Sequence, residues 1–191
     1  MLLSALIFLL DSIASAFCGV LLLRFHLQAM RAPFSNPVSQ FAIALTDFVV
    51  KPARRIIPGL WGLDLATLTV AWLTQCLLLL IVTALSGRLG DAGPAVFLAL
   101  LLFAVIELAK IGLWMIIMLQ FMLFVVSIAN PYSPYMSLLN TLSRPFSRPI
   151  QRILPPVGHI DLSPMVVVLV CSMLINFFLP WLTVMIRASV M

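Results

Sequence analysis

Apolar positions along the chain gather into four long runs, separated by polar stretches rich in proline. The runs are Leu2–Leu27, broken by Asp11 and closing on Arg24 and His26, then Leu65–Leu85, Ala95–Ile128 and Leu162–Ile186. A helix rises 1.5 Å per residue, so about 20 residues cross a hydrocarbon core about 30 Å thick. Each run therefore predicts a transmembrane helix. Ala95–Ile128 is 34 residues long, too long for one upright crossing, and two registers satisfy it. If residues 107–128 span, Ala95–Ile106 lies tilted or in the interface. If residues 95–115 span, Glu107 and Lys110 sit deep and, three apart on a helix, face each other as a pair.

The two long polar stretches repeat each other. Residues 31–64 read Asn36-Pro37-x-Ser39, then Pro52-x-x-Arg55-Ile56-x-Pro58, then Asp64; residues 129–161 read Asn130-Pro131-x-Ser133, then Pro149-x-x-Arg152-Ile153-x-Pro155, then Asp161. Pro52, Arg55, Pro58 and Asp64 recur 97 residues later, and the Asn-Pro pair recurs at 94, which implies three extra residues in the second copy. A period of this kind marks a duplication. The chain reads as a tandem repeat, 1–93 and 94–191, each copy being helix, structured loop, helix. With two spans per copy, both copies enter the membrane from the same side, as a parallel repeat.

Each loop predicts a short amphipathic helix in the membrane interface. Asn36 before Pro37 is a helix start, an oxygen acceptor ahead of a residue pre-set for the first turn. Phe41, Leu45 and Phe48 then fall on one face, with Gln40 and Asp47 off it; in the second copy Tyr135, Leu138, Leu139 and Leu142 do the same, with Asn140 and Thr141 elsewhere. Such a face packs on the spans as a cap or rests in lipid. A proline-punctuated basic stretch follows. Lys51, Arg54 and Arg55 in the first loop, and Arg144, Arg148 and Arg152 in the second, place positive charge over anionic headgroups or a docking partner. Plain topology signalling also explains them. Asp64 and Asp161 directly precede the second and fourth spans, and Asp161-x-Ser163-Pro164 is a start signal in which the carboxylate complements the positive helix end. Either aspartate also has an arginine within reach, Arg55 or Arg152.

Composition agrees with the pattern. Of 191 residues, 63% are hydrophobic and 9% charged, with a mean hydropathy of +1.20. Soluble domains run near half apolar and a quarter charged, and disorder needs the reverse balance. An all-α polytopic membrane protein is what remains. Arg31, Lys51, Arg54, Arg55, Arg144, Arg148 and Arg152 occupy the repeat loops, against Arg88 and Arg187 on the other side. The positive-inside rule then predicts cytoplasmic loops and periplasmic termini. No Lys or Arg precedes Arg24, and Phe17 stands before Cys18 where a lipoprotein site needs a small residue, so the first run is expected to be retained as a span.

The Asn-Pro pairs, the Pro-x-x-Arg-Ile-x-Pro runs and the Ile160-Asp161-x-Ser163-Pro164 ending resemble the YggT family, also called YlmG, over almost the whole chain and in its two-repeat form. The resemblance implies a small inner-membrane protein without known enzymatic activity. Relatives are linked to cell division, nucleoid distribution, osmotic or potassium stress, and haem attachment in chloroplast cytochrome assembly. It marks Asn36, Pro37, Pro52, Arg55, Pro58, Asp64, Asn130, Pro131, Pro149, Arg152, Pro155 and Asp161 as family positions. The copies also differ, with Ala66-Thr67 standing where Ser163-Pro164 stands, and Phe121 where the 97-residue offset places the partner of Arg24.

Catalytic chemistry is missing from the pattern. His26 and His159 do not match under the repeat, and Cys18, Cys76 and Cys171 lie far apart in apolar runs. No metal motif, paired carboxylates at helical spacing or glycine-rich phosphate loop is present, so neither an enzyme nor a cofactor is expected, and no nucleic-acid partner. Two functions remain. One is a membrane scaffold or assembly factor whose loops hold anionic headgroups, a membrane-protein partner or a second copy. The other is a small oligomeric ion channel or modulator, motivated by Asp11, Glu107 and Lys110, because ionisable groups within spans default to functional candidates. Asp11 and Glu107 are 96 apart, nearly the repeat period.

Overall fold

The computed structural model describes the chain except residues 34, 60–61, 88–92, 131, 154–160 and 191. The family positions Pro131 and Pro155, and His159, lie outside the described residues. The fold is helical: α1 (Leu2–Ala29), α2 (Pro37–Ile56), α3 (Leu65–Leu85), α4 (Pro94–Ala129), α5 (Pro134–Gln151), α6 (Ser163–Met173) and α7 (Leu179–Val190). A five-residue π-helical segment, Leu174–Phe178, joins α6 to α7 without a break. Among the described residues four helices are long and apolar enough to cross a membrane: α1, α3, α4 and the α6–α7 rod. Their outward faces carry large apolar side chains such as Phe8, Leu77, Phe97, Met118, Phe121 and Leu169, which suits a solvent of lipid.

Small residues set the closest approach of these helices. Cys18 Sγ lies 3.5 Å from the Ala71 carbonyl oxygen, bringing α1 onto α3. Gly19 faces Ile111 and Gly112 faces Leu22, bringing α1 onto α4. Lipid is as apolar as leucine, so helices in a bilayer gain little by hiding leucines and more by packing backbones closely. Around these contacts Leu21, Leu22, Val70 and Leu108 form one cluster with Val50 of α2. A second cluster joins Leu27, Leu119 and Leu123 to Ala42 of α2 and to Leu138, Leu139 and Leu142 of α5. Both loop helices therefore sit at one end of the bundle.

That cluster also places the C-terminal end of α4. At 1.5 Å per residue its 36 residues reach about 54 Å, well beyond a hydrocarbon core. The turns holding Leu119 and Leu123 pack among the loop helices. Glu107 and Lys110 line a cleft with Gln75, the middle residue of α3. The earlier part of α4 is thus level with α3, and Glu107 and Lys110 are paired there, with Lys110 Nζ 3.3 Å from Glu107 Oε2.

The loop helices are longer than expected. Each runs on through the proline-punctuated basic stretch, past Pro52 in α2 and past Pro145 and Pro149 in α5. All three prolines are on the exposed side, so the missing N–H donors and displaced carbonyls meet solvent instead of the core. Of the two places open to these faces, each helix takes a different one. In α5, Leu138, Leu139 and Leu142 are buried as a cap on the spans, although Tyr135 is exposed. In α2, Ser39, Ala42, Thr46 and Val50 are buried instead, while Phe41 and Phe48 are 58% and 72% exposed on the outward face. Thr46 of this buried face finds a hydrogen-bond partner on the spans, the Arg24 guanidinium of α1.

The π segment has a visible cause. Pro180 lacks an N–H and its ring collides with the carbonyl four residues back, and a widened turn relieves both. Packing at the α1–α3 contact gives the first prediction. Ala71→Leu overfills a site with no exposed surface and is expected to cost about 1–3 kcal/mol, read as a lowered melting temperature in detergent. Leu73→Ala, on the half-exposed outer face of the same helix, should leave that temperature nearly unchanged.

Candidate functional site

Polar groups concentrate at the loop-helix end of the bundle, and helix termini organise them. Asn36 caps α2: its Oδ1 accepts from Ser39 N–H at 2.8 Å, with Pro37 in the first turn. In the second copy the cap is Ser133, ahead of Pro134, and its Oγ accepts from Tyr135 N–H at 3.4 Å. Ser133-Pro134 lies 97 residues after Asn36-Pro37, so it holds the equivalent place in the structure. Asn130 instead ends α4, and its Oδ1 accepts from Tyr132 N–H at 3.2 Å.

Asp64 caps α3, accepting from Thr67 N–H at 3.3 Å and from the Thr67 hydroxyl. It also pairs with the guanidinium of Arg54, which donates in turn to Gln28 Oε1 of α1 at 3.0 Å. One aspartate thus joins three helices. Its partner is Arg54 and not Arg55, which points outward. The second copy repeats the arrangement in neutral form: Gln151 Nε2 donates to Asp161 at 2.8 Å, and Asp161 accepts from Ser163 N–H at 2.8 Å. Here too the neighbour of the expected residue, Gln151 and not Arg152, makes the contact. Asp64 caps the following span as expected, while Asp161 stands one residue before the N-cap Leu162 and accepts from the first N–H of α6.

Deeper in, Arg24 is buried. Its Nη1 lies 2.7 Å from Thr46 Oγ1 and 2.9 Å from Asp47, and Asp47 also holds Lys51 at 2.8 Å. Gln120 occupies the matching depth in α4, accepting from Ser147 Oγ at 3.3 Å. Arg24 and Gln120 are 96 residues apart, the separation of Asp11 and Glu107, so Gln120 and not Phe121 is the counterpart of Arg24. His26 crosses between the copies: its Nε2 is 2.8 Å from the Leu142 carbonyl oxygen, and its ring stacks on Phe146 at 5.6 Å.

These contacts divide the basic residues. Lys51 and Arg54 are bound to carboxylates. Among the described residues no carboxylate pairs with Arg31, Arg55, Arg144, Arg148 or Arg152. Arg31 sits in the left-handed region (φ 52°) at the end of α1, where Ala32 N–H returns to the Leu27 carbonyl at 2.9 Å. That turn brings it to a groove of about 480 Å³ shared with Arg144, Arg148 and Arg152. Pro58 is exposed, and Ser163 and Pro164 are buried at the start of α6.

The carboxylates respond to these partners. Lys51, and then Arg24, hold Asp47 below the usual carboxylate range against a smaller opposing effect of burial. Burial pushes Asp64 up, but Arg54 together with the Thr67 hydroxyl and N–H outweighs it and leaves the group lowered. Asp161 is likewise raised by burial and lowered further by Ser163 and Gln151.

A second polar place lies level with the middle of α3. Asp11, Ser15, Gln75, Glu107, Lys110 and Trp114 line a cleft of about 520 Å³ between α1, α3 and α4. Lys110 Nζ is 3.3 Å from Glu107 Oε2. The three ionisable residues singled out from the sequence therefore share one site. Gln75, buried to 1% exposure, and Ser15 were not singled out. A polar residue midway along an apolar run was the available signal for Gln75.

Four apolar helices bearing ion-paired polar groups at one end define a multi-pass α-helical membrane protein. The family model described as CCB3/YggT matches residues 3–85 and 96–182, and the chain belongs to that family. A Pseudomonas aeruginosa protein is 34% identical over 163 residues, covering 84% of this chain and 81% of its own length. The Escherichia coli K12 protein named YggT is 32% identical over 166 residues, covering 87% and 85%. A Haemophilus influenzae protein is 37% identical over 164 residues, covering 84% and 83%. The relatives' names assign no activity. No solved structure matches the chain.

The Asp64 junction yields a pH prediction. A carboxylate with a depressed pKa stabilises the fold at pH values above its unfolded pKa, about 3.9, and loses that contribution as pH falls through the folded value. Thermal stability in detergent should therefore decline on acidification below about pH 4, and Asp64→Asn should flatten that decline. At neutral pH Asp64→Ala should cost about 1–2 kcal/mol through the lost cap. Arg54→Gln should be milder than Arg54→Ala, because Gln151 already makes the same contact with Asp161.

Proposed function

We propose that this chain is a non-enzymatic scaffold or assembly and stress factor of the bacterial inner membrane, serving cell division or osmotic and potassium homeostasis. Its two halves, 1–93 and 94–191, are parallel copies; the loops face the cytoplasm, both termini face the periplasm, and α2 and α5 lie in the cytoplasmic interface. The repeated order of helices, the matched Arg54–Asp64 and Gln151–Asp161 contacts and the two separate family-model segments support the duplication. The excess of basic residues at the loop end supports the orientation.

One observation carries the scaffold reading. α2 is tied down along its polar face by Arg24 and Asp64, yet it presents Phe41, Leu45 and Phe48 outward. A rigidly held helix with an outward apolar stripe is suited to grip the bilayer interface or a neighbouring protein. A deletion strain of the host, stressed with high osmolarity, provides the test. Phe41→Ser with Phe48→Ser should insert and fold normally but fail to restore growth. Full rescue by that variant would remove the basis of the reading.

The membrane-deep cleft supports a second function, an oligomeric ion channel or modulator. Asp11, Glu107 and Lys110 together carry a net negative charge beside Gln75 and Ser15, chemistry suited to a cation. Potassium flux through purified protein in liposomes discriminates the two. The scaffold predicts no flux above empty vesicles. The ion pathway predicts flux that disappears in Asp11→Asn with Glu107→Gln.

A further inference from the structure

The two copies hold the same polar junction in opposite charge states. In the first, Arg24 bonds the Thr46 hydroxyl and the Asp47 carboxylate. Ninety-seven residues on, Thr46 becomes Ser143, Asp47 becomes Arg144 and Val50 becomes Ser147, while Gln120 takes the place of Arg24. The carboxylate that completes the first junction has no counterpart in the second. Its absence leaves donors without acceptors. Gln120 Nε2 and Ser143 Oγ are buried, at 0% and 1% residue exposure, and neither has a partner among the described residues. Buried polar groups are almost always satisfied, and an orphaned one calls for a water or an ion.

Ser143 and Ser147 open onto a cleft of about 400 Å³ along α5, which Asn140, Arg144 and Arg148 also line. Among the described residues neither arginine is paired with a carboxylate. The nearby Asp161 is engaged by Gln151 and Ser163. The Ser143 hydroxyl and the Asn140 amide, backed by the Arg144 and Arg148 guanidinium groups, make a receptor for a tetrahedral oxyanion, and arginine forks match phosphate oxygens closely. We propose that this cleft binds a phosphate group, filling in the second copy the place that the Asp47 carboxylate fills in the first. The assignment rests on the reading of the loops as lying at the cytoplasmic headgroup level, where phospholipid phosphates supply that chemistry. Inorganic phosphate offers it too. In the first loop Lys51 and Arg54 are held by Asp47 and Asp64, which leaves Arg55 alone among the cations of α2 without a carboxylate partner among the described residues.

The test uses the full chain in nanodiscs of phosphatidylcholine, titrated separately with short-chain phosphatidylglycerol and with inorganic phosphate, and reads binding by calorimetry. Phosphatidylglycerol is expected to bind at one site per chain. Arg144→Gln with Arg148→Gln should weaken it about tenfold or more, since charge-assisted phosphate contacts are lost. Ser143→Ala should weaken it less while leaving the ligand-free melting temperature unchanged, because the hydroxyl has no partner to lose. Arg55→Gln, an equal loss of surface charge on the other loop, should leave binding unchanged. Binding by the double arginine variant as tight as that of the unaltered chain overturns the proposal. So does an equal loss in Arg55→Gln, which would reduce the effect to general surface charge. Affinity for inorganic phosphate equal to that for the lipid keeps the phosphate site and assigns it a soluble ligand. The readout is binding in vitro, so it stands apart from the growth test of the scaffold function.

Discussion

Asp64 is the point through which the loop end of the first copy is built. A helix entering a bilayer arrives with unpaired N–H groups that lipid cannot satisfy. The Asp64 carboxylate takes the Thr67 N–H and hydroxyl, and its remaining affinity for charge draws in Arg54 from α2 and, through it, Gln28 from α1. The requirement of one helix start thus fixes the end of a second helix against a third. Once Arg54 is held there, the rest of α2 has its rotation decided. Ser39, Ala42, Thr46 and Val50 turn toward the spans and the phenylalanines turn away.

The second copy meets the same requirement with neutral groups. Gln151 in place of Arg54 keeps the contact with Asp161 while removing a charge from it. Its partner helix α5 is oriented by packing as well, since Leu138, Leu139 and Leu142 fill the cluster beneath α1 and α4. Ionic contacts hold the first loop helix and apolar burial holds the second. Among the described residues the arginines of α5 are consequently unpaired, whereas Lys51 and Arg54 of α2 are held by carboxylates. His26 ties the halves together by meeting α5 at the Leu142 carbonyl.

The lengths and places of the spans were legible because lipid punishes every unpaired backbone group, so an apolar run of the right length has one outcome. Leu65–Leu85 matches its predicted bounds. The helix-start contacts of Asn36, Asp64 and Asp161 were legible for the same local reason. What the pattern left open was which way the apolar face of α2 turns. Amphipathic reasoning assumes that large apolar residues turn inward, but at a membrane surface outward is also apolar. The rotation was decided by Thr46 and Arg54 finding partners 22 and 10 residues away, which no local pattern encodes. The same limit hid Ser133, since Asn130-Pro131 copies the letters of the first start without its spacing. It hid the convergence of Gln75 with Asp11 and Glu107 as well, which depends on how three helices are turned about their axes.

The π segment in the last span has a consequence for how this protein tolerates changes of length. A π turn holds one residue more than an α turn, so Leu174–Phe178 carries slack for a single position. Losing a residue within it would return the rod to ordinary geometry and leave α6 and α7 presenting their present faces. Losing one from Ser163–Met173 would swing one half about 100° against the other. Tolerance for the loss of one residue in this span is therefore concentrated in these five residues, where the rod can shorten without turning one half against the other.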